Sequence, residues 1–133
     1  MRTKPALTSA DVQKMAAACK SEAARNKWGV TIAIVDDAGC LLYLERPDGV
    51  GPLTAEIAAG KAYSAAVSRR ATKFWEDRIK ERPAFLKVPV TTPFQGGVPI
   101  MYQGECVGAI GVSGVQSHED EQVANAGIAA LGA

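Results

Sequence analysis

The apolar residues near the start of the chain recur at helical spacing. They lie three or four positions apart, which predicts a helix with one buried side, and they are Val12, Met15, Ala16 and Cys19. Thr8 or Ser9 precedes them and can cap the free amides of the first turn, where Asp11 suits the positive end of the helix dipole. The next glycine, Gly29, predicts the end of this helix.

Two pairs of strand-like segments are each joined by residues typical of turns. Residues 30–36 are rich in β-branched side chains, and an Asp-Asp-Ala-Gly turn leads into residues 40–46. Residues 97–102 and 105–112 are joined in the same way at Gln103-Gly104. Because the strands of a hairpin run in opposite directions, both segments predict an antiparallel sheet.

The chain between the two hairpins predicts two helices and a loop. Pro52 suits the first position of a helix that continues to residue 70. The many alanines of this helix favour close packing on a flat surface, such as a sheet or another copy of the chain. Thr72 is predicted to cap a second, short helix that Pro83 ends, and residues 85–94 predict a loop.

The order of elements decides the fold class. The last helix is predicted to start at Ser117, with Asp120 at its third position in a near capping box. The order is therefore helix, hairpin, two helices, hairpin and helix, which predicts an α+β fold with helices covering the sheet. A doubly wound nucleotide-binding fold would need alternating strands and helices.

The composition is that of one globular domain over residues 1–133, with 47% hydrophobic and 22% charged residues. A net charge of +1 gives no strong field toward nucleic acid or a membrane. No segment approaches the roughly 18 continuous apolar residues of a membrane span. The N-terminal residues lack the apolar centre of a signal peptide, and Cys19, Cys40 and Cys106 form no CxxC motif. A cytoplasmic protein with reduced thiols is therefore expected.

Two cations are candidates for binding a carboxylate. Lys61 shares its helical face with small apolar residues, so its ammonium either extends to solvent or is offered to a carboxylate. Arg46, at the end of a predicted strand, could hold a carboxylate through two hydrogen bonds. It could equally pair with Glu45 or Asp48 at the surface.

The last predicted strand carries glycines at positions 108, 111 and 114. This spacing differs from known phosphate-binding motifs, and the acidic residues 119–121 that follow would repel a phosphate. Such glycines either face a ligand, together with the amides of Ser113 and Gly114, or allow close packing of the protein on itself.

His118 is the only histidine of the sequence. It could ligate haem iron or act as an acid or base, or it could simply be solvated at the start of its helix. Because a zinc site needs further ligands of this kind, no protein-bound metal is expected.

Four segments together resemble one family. They are VTIAIVDDAGCLLYLERPDG, AGKAYSAAVSRRAT, GGVPIMYQGECVGAIGVSG and EDEQVANAGIAAL, within residues 8–131. In this order they are similar to the GlcG/HbpS-like family, also called the haem-degrading domain family, which includes C-terminal domains of PduO-type proteins.

The resemblance implies a profilin-like fold of three layers, α/β/α, with an antiparallel sheet of about five strands, and it implies self-association. Some members bind haem and are credited with degrading it, whereas others accompany glycolate, diol or aromatic catabolism. Residues of this chain at family motif positions are Arg46, Lys61, Gly96, Gly97, Ser113, Gly114 and Asp120. Some members ligate haem through a histidine of the first helix, where this chain has Met15 and Cys19.

Three functions follow as hypotheses. The first is a small-molecule enzyme or binding protein whose pocket, between Lys61, Arg46 and the glycine-rich hairpin, takes an organic acid. Its predicted ligand-binding residues are Arg46, Lys61, Gly96, Gly97, Ser113 and Gly114, and its candidate catalytic residues are Lys61 and His118. The second is a haem-binding or haem-degrading protein. The third is an assembly module without chemistry, and a homo-oligomer is expected in each case.

Overall fold

One antiparallel sheet forms the centre of the computed structural model, which describes residues 1–90 and 92–132. Its strands are β1 (Thr31–Asp36), β2 (Leu41–Glu45), β3 (Gly97–Tyr102) and β4 (Glu105–Ser113), in the spatial order β2-β1-β4-β3. The class is α+β, as predicted, but the sheet of the described residues has four strands instead of about five. The two hairpins supply all of them, because the proline-rich segment before β3 forms a 3-10 helix (Pro83–Lys87) and a loop.

Four helices cover the two faces of the sheet. They are α1 (Ser9–Arg25), α2 (Leu53–Ser68), α3 (Thr72–Glu81) and α4 (Ser117–Leu131). Successive residues of a strand point to opposite faces. Accordingly Ile32 and Ile34 of β1 pack with α1 and α4, whereas Ala33 and Val35 pack with α2. None of the described helices is long and apolar enough to cross a membrane.

The glycines in and directly after β4 serve close packing of the protein on itself. A Cβ atom at Gly111 would lie 2.1 Å from the carbonyl oxygen of Ala58 in α2. One at Gly114 would lie 2.3 Å from the carbonyl oxygen of Gly29. At Gly111 the alanine face of α2 lies against the sheet, and at Gly114 the main chain before β1 does, so a side chain at either position would collide with main chain.

The structure corrects several predicted helix ends. Thr8, one of the two predicted caps, caps α1 and also forms a capping box with Asp11, but the helix ends at Arg25. Lys27 takes the left-handed conformation (φ 61°) in place of Gly29, and the amide of Trp28 then donates to the carbonyl of Ala23. The turn is stabilised because the Trp28 ring packs against the core.

The other two caps also differ from the prediction. Thr72 is the first residue of α3, and its hydroxyl instead accepts a hydrogen bond from the amide of Gly97 at 2.9 Å. Helix α4 is capped by Gln116 in a capping box with Glu119. Asp120 is thereby released from capping and becomes available for the contact described next.

Candidate functional site

Lys61 forms a buried ion pair with Asp120. Lys61 lies in the middle of α2 and is only 3% exposed. Its Nζ donates to Asp120 Oδ2 at 3.0 Å and to the carbonyl oxygen of Val112, at the end of β4, at 2.9 Å. The sequence left open whether this ammonium extends to solvent or pairs with a carboxylate. It pairs with a carboxylate, and that carboxylate belongs to the same chain.

Asp120 completes its hydrogen bonding within the fold. Its Oδ1 accepts from the amide of Val115 at 3.1 Å, and its side chain is 3% exposed. Burial raises the pKa of Asp120, and the ammonium of Lys61 opposes that rise. The two opposite charges neutralise each other inside the protein.

Gly96 and Gly97 provide the space through which Lys61 reaches its partner. A Cβ atom at Gly96 would lie 2.6 Å from Lys61 Nζ, and one at Gly97 would lie 2.4 Å from the Lys61 carbonyl oxygen. Gly97 is the first residue of β3 and Gly96 directly precedes it. The Lys61 side chain therefore passes the start of β3, from the helical layer of α2 to that of α4.

The structure thus brings together some of the predicted site residues and not others. Lys61, Gly96 and Gly97 are in contact, and the carbonyl of Gly96 accepts from the amide of Val112. Ser113, which is 6% exposed, is the last residue of β4, and Gly114 directly follows the strand. These positions are occupied by the protein's own atoms, so a ligand at this corner would have to displace them.

Arg46 and His118 lie at the surface, and no described contact links either of them to Lys61. Arg46 Nη1 donates to the carbonyl of Val50 at 3.4 Å, and no described ion pair involves this arginine. His118 is exposed in the first turn of α4. Among the described residues, no cluster of three or more His, Cys, Asp or Glu side chains could hold a metal ion.

Sequence reasoning missed a cleft on the outer side of α2. The cleft has a volume of about 370 Å³, within the range of small-molecule sites. Its lining residues are Tyr63, Val67, Ser68, Trp75, Val88, Pro89 and Val90. We call it the Tyr63 cleft. One signal for it was present in the sequence, since Tyr63 is the one aromatic side chain in a helix rich in alanine.

The walls of the Tyr63 cleft are apolar, with two hydroxyl groups. Tyr63 and Val67 are each 37% exposed, one turn apart on α2. The Trp75 ring is fixed, because its Nε1 donates to Ser68 Oγ at 2.9 Å. The lining of the Tyr63 cleft therefore suits a flat apolar molecule.

Side chains that could ligate haem iron are His, Cys, Met and Tyr. Met15 and Cys19, which stand in the first helix, are both fully buried in the core. Burial raises the pKa of the Cys19 thiol to about 12, so this thiol stays protonated. Helix α1 does not fit iron ligation in this chain, whereas Tyr63 and His118 are accessible.

Comparison with known proteins gives a consistent family. Residues 7–129 match the model of the family described as haem degrading protein HbpS-like. The chain is 42% identical over 114 residues to Protein GlcG of Escherichia coli, and the match covers 85% of each chain.

Solved structures share the fold over nearly the full length. A double mutant of HbpS from Streptomyces reticuli has a TM-score of 0.91 and 34% identity, covering 100% of this chain and 92% of its own. The complex of PduOC with haem has a TM-score of 0.87 and 24% identity, and the match covers 95% of each chain. The family match, the GlcG relationship and the shared fold agree, and this chain belongs to the HbpS-like family.

Proposed function

We propose that the protein binds haem in the Tyr63 cleft, with the Tyr63 phenol oxygen as the ligand to iron. The observation that carries the proposal is a half-exposed tyrosine, Tyr63, in the wall of an apolar cleft that also contains a tryptophan. Tyrosine is among the side chains that hold haem iron in proteins. Haem would supply an iron centre, and Val67 and Trp75 would shield one side of the porphyrin from water.

Membership of a family described as haem-degrading supports this ligand. In addition, the related PduOC was crystallised as a haem complex. The burial of Met15 and Cys19 removes the thioether and thiol of the first helix as iron ligands. The accessible tyrosine of the cleft is the alternative that this chain offers.

A second depression competes with the Tyr63 cleft and fits haem less well. It has a volume of about 330 Å³, and it also contains a tyrosine, Tyr102. Asp11 forms part of its wall. A carboxylate there would repel the propionates of haem, whereas no acidic residue lines the Tyr63 cleft.

Titration of the purified protein with haemin tests the proposal. Tyr63→Phe should weaken haemin binding at least about tenfold and remove the absorption band of iron-bound tyrosinate. Tyr102→Phe is the matched control, because Tyr102 is 38% exposed and Tyr63 is 37% exposed. The proposal is refuted if Tyr63→Phe keeps the spectrum and affinity of the wild type, or if His118→Ala alone loses them.

Binding of a small organic acid is a second candidate function, favoured by Arg46. Its guanidinium makes one long contact to a main-chain carbonyl, so most of its donors are available. Lys61 is a weaker candidate than the sequence suggested, because Asp120 neutralises it. Calorimetry with a panel of hydroxy acids and dicarboxylic acids should show saturable binding that Arg46→Ala abolishes and Lys14→Ala leaves intact. Equal heats in all three proteins would exclude this candidate.

We also propose self-association through β2, whether or not the assembly has chemistry of its own. This strand forms one edge of the sheet, and its Leu41, Leu42 and Leu44 are 55%, 44% and 36% exposed. An apolar edge strand favours pairing with another copy. Light scattering after size-exclusion chromatography should show smaller assemblies for Leu44→Lys, but unchanged assemblies for Leu86→Lys, an exposed leucine of the 3-10 helix. A wild-type monomer at micromolar concentration would contradict the proposal.

A reducing compartment, the cytoplasm, fits the three free thiols of the structure. Cys40 is exposed and unpaired by any disulfide of the described chain, which is typical of proteins kept reduced.

A further inference from the structure

We infer that Ser64 and Ser68 are positioning residues of the Tyr63 cleft, which prepare its lining for the flat ring of a porphyrin with or without iron. The inference rests on the proposed haem function, but it concerns the lining of the cleft and not the ligand to iron. The two serines lie four residues apart, about one turn of α2. Each of them holds a different part of the lining in place.

The lining of the Tyr63 cleft comes from three segments of the chain. Helix α2 supplies Tyr63, Val67 and Ser68, helix α3 supplies Trp75, and residues 88–90 follow the 3-10 helix. Of the ten side chains of α3, only that of Thr72 is buried. Because burial does little to fix α3 and the segment after it, their positions relative to α2 depend on individual hydrogen bonds.

Ser68 orients the Trp75 ring. Trp75 Nε1 donates to Ser68 Oγ at 2.9 Å. The Ser68 hydroxyl donates in turn to the carbonyl of Ser64 at 2.6 Å, which is closer than its 3.5 Å contact with the carbonyl of Arg70. A hydroxyl has one proton and two lone pairs, so donation to the Ser64 carbonyl leaves a lone pair for the indole N–H.

Two phenylalanine rings support Trp75 from other sides. Its ring lies edge-to-face against Phe74, with centroids 5.2 Å apart, and against Phe85, with centroids 6.4 Å apart. Both phenylalanines belong to α3 and the 3-10 helix, so these contacts do not connect the indole to α2. The hydrogen bond to Ser68 makes that connection.

Ser64 anchors the segment that follows the 3-10 helix. The amide of Thr92 donates to Ser64 Oγ at 3.0 Å, and both residues are buried. Thr92 lies two residues beyond Val90, so at most about 7 Å of chain separates this anchor from the lining. Within the lining, the amide of Val90 donates to the carbonyl of Val88 at 2.7 Å. Residues 88–90 are therefore tied to the same turn of α2 as Trp75.

The kind of ligand follows from this arrangement. The indole N–H and the Ser68 hydroxyl are paired with each other, so a hydrocarbon-rich ring can cover them without leaving a polar group unpaired. A lining whose three segments are already anchored also loses less conformational freedom when a ligand binds, which increases the affinity. Since neither property involves iron, protoporphyrin IX without a metal should bind in the same cleft.

Parallel titrations with haemin and protoporphyrin IX test the inference. Ser68→Ala and Ser64→Ala should each weaken the binding of both porphyrins by the same factor, about 3- to 10-fold, as expected when one hydrogen bond is lost. Ser68→Thr, which keeps the hydroxyl, should restore both affinities. Ser21→Ala is the matched control, because Ser21 is an exposed serine in the interior of another helix, α1.

The fluorescence of Trp75 separates positioning from a purely structural role. In a Trp28→Phe background, Trp75 is the only tryptophan of the sequence. Ser68→Ala should then lower the fluorescence anisotropy of the ligand-free protein, because the ring gains rotational freedom. If Ser68 served stability alone, Ser68→Ala would lower the melting temperature and leave the anisotropy and both porphyrin affinities unchanged, and this result refutes the inference.

Failure of this inference is distinguishable from failure of the haem proposal. Haemin binding that depends on Tyr63 but is unaffected by Ser68→Ala and Ser64→Ala refutes the positioning role alone. Equal affinities of the wild type for haemin and protoporphyrin IX, both weakened by Ser68→Ala, refute iron ligation by Tyr63 and support the positioning role. A protein that binds neither porphyrin saturably refutes the haem function and this inference together.

Discussion

Replacing Lys61 by methionine should destabilise the fold strongly. The substitution keeps most of the volume and removes the ammonium, which leaves the Asp120 carboxylate and the Val112 carbonyl buried without their partner. Removing one member of a buried ion pair costs about 3–5 kcal/mol in the free energy of unfolding. For a domain of this size the melting temperature should fall by roughly 10–25 °C.

The stability lost in Lys61→Met should depend on pH, and the titration of Asp120 determines whether it grows or shrinks as pH rises. Burial already raises the pKa of this carboxyl above its ordinary value of 3.8, and without Lys61 the opposing effect of the ammonium is gone. A carboxyl that is more basic in the folded than in the unfolded state destabilises the fold as pH rises from 3.8 through the folded pKa. The loss of unfolding free energy caused by Lys61→Met is therefore smaller near pH 4 than near pH 7.

Urea unfolding of four proteins, followed by circular dichroism at both pH values, measures these effects. The double variant Lys61→Met/Asp120→Leu should recover most of the stability, because replacing a buried ion pair by apolar side chains is often neutral or stabilising. Lys80→Met, whose side chain is 71% exposed in wild type, should change the free energy of unfolding by less than about 0.5 kcal/mol. The reasoning fails if Lys61→Met costs less than about 1 kcal/mol, or if the double variant is as unstable as the single one.

Three further predictions concern other parts of the fold. Gly111→Ala should lower the free energy of unfolding in urea by about 1–3 kcal/mol or more, because the new methyl group would collide with the main chain of α2. Gly51→Ala is the control and should be tolerated, because nothing lies within 4 Å of a Cβ atom at that position. A thiol reagent should modify exposed Cys40 in the native protein, and Cys19, which is buried and has a raised pKa, only after unfolding. Mass spectrometry measures both reactions, and equal rates for the two thiols would contradict the buried position of Cys19. A hydrogen bond from a glutamine of α4 lowers the pKa of Glu22 below 4.5. The difference in free energy of unfolding between wild type and Glu22→Gln should therefore be largest above pH 4.5 and decrease at lower pH. A difference that is independent of pH would contradict this assignment.

The sequence predicted the elements well because each carries a strong local signal. The alternation of β1 places Ile32 and Ile34 on one face and Ala33 on the other, and the hairpin turns are short and rich in glycine. The fifth strand came from the family resemblance alone, and no segment of the chain carried its pattern. The end of α1 was misplaced because packing of Trp28 on the core overrode the local preference for glycine at the left-handed position.

The candidate site was less accessible to sequence reasoning, because its contacts join distant segments. Lys61 and Asp120 are 59 residues apart, and no local rule pairs them. Glu119 and Asp120 compete for the capping position, and the sequence alone favoured the wrong one. The Tyr63 cleft escaped notice for a similar reason, since Trp75 and Val88 reach it from separate segments.

The side chain of Lys61 joins two layers that would otherwise be separated by the whole thickness of the sheet. If α4 detached while the rest of the protein stayed folded, the ammonium of Lys61 would lose the Asp120 carboxylate with which it pairs. Detachment of α4 alone therefore carries the added cost of breaking a buried ion pair. The amides of α2 and α4 should exchange their hydrogens with deuterium as one cooperative unit, although the two helices lie on opposite sides of the molecule.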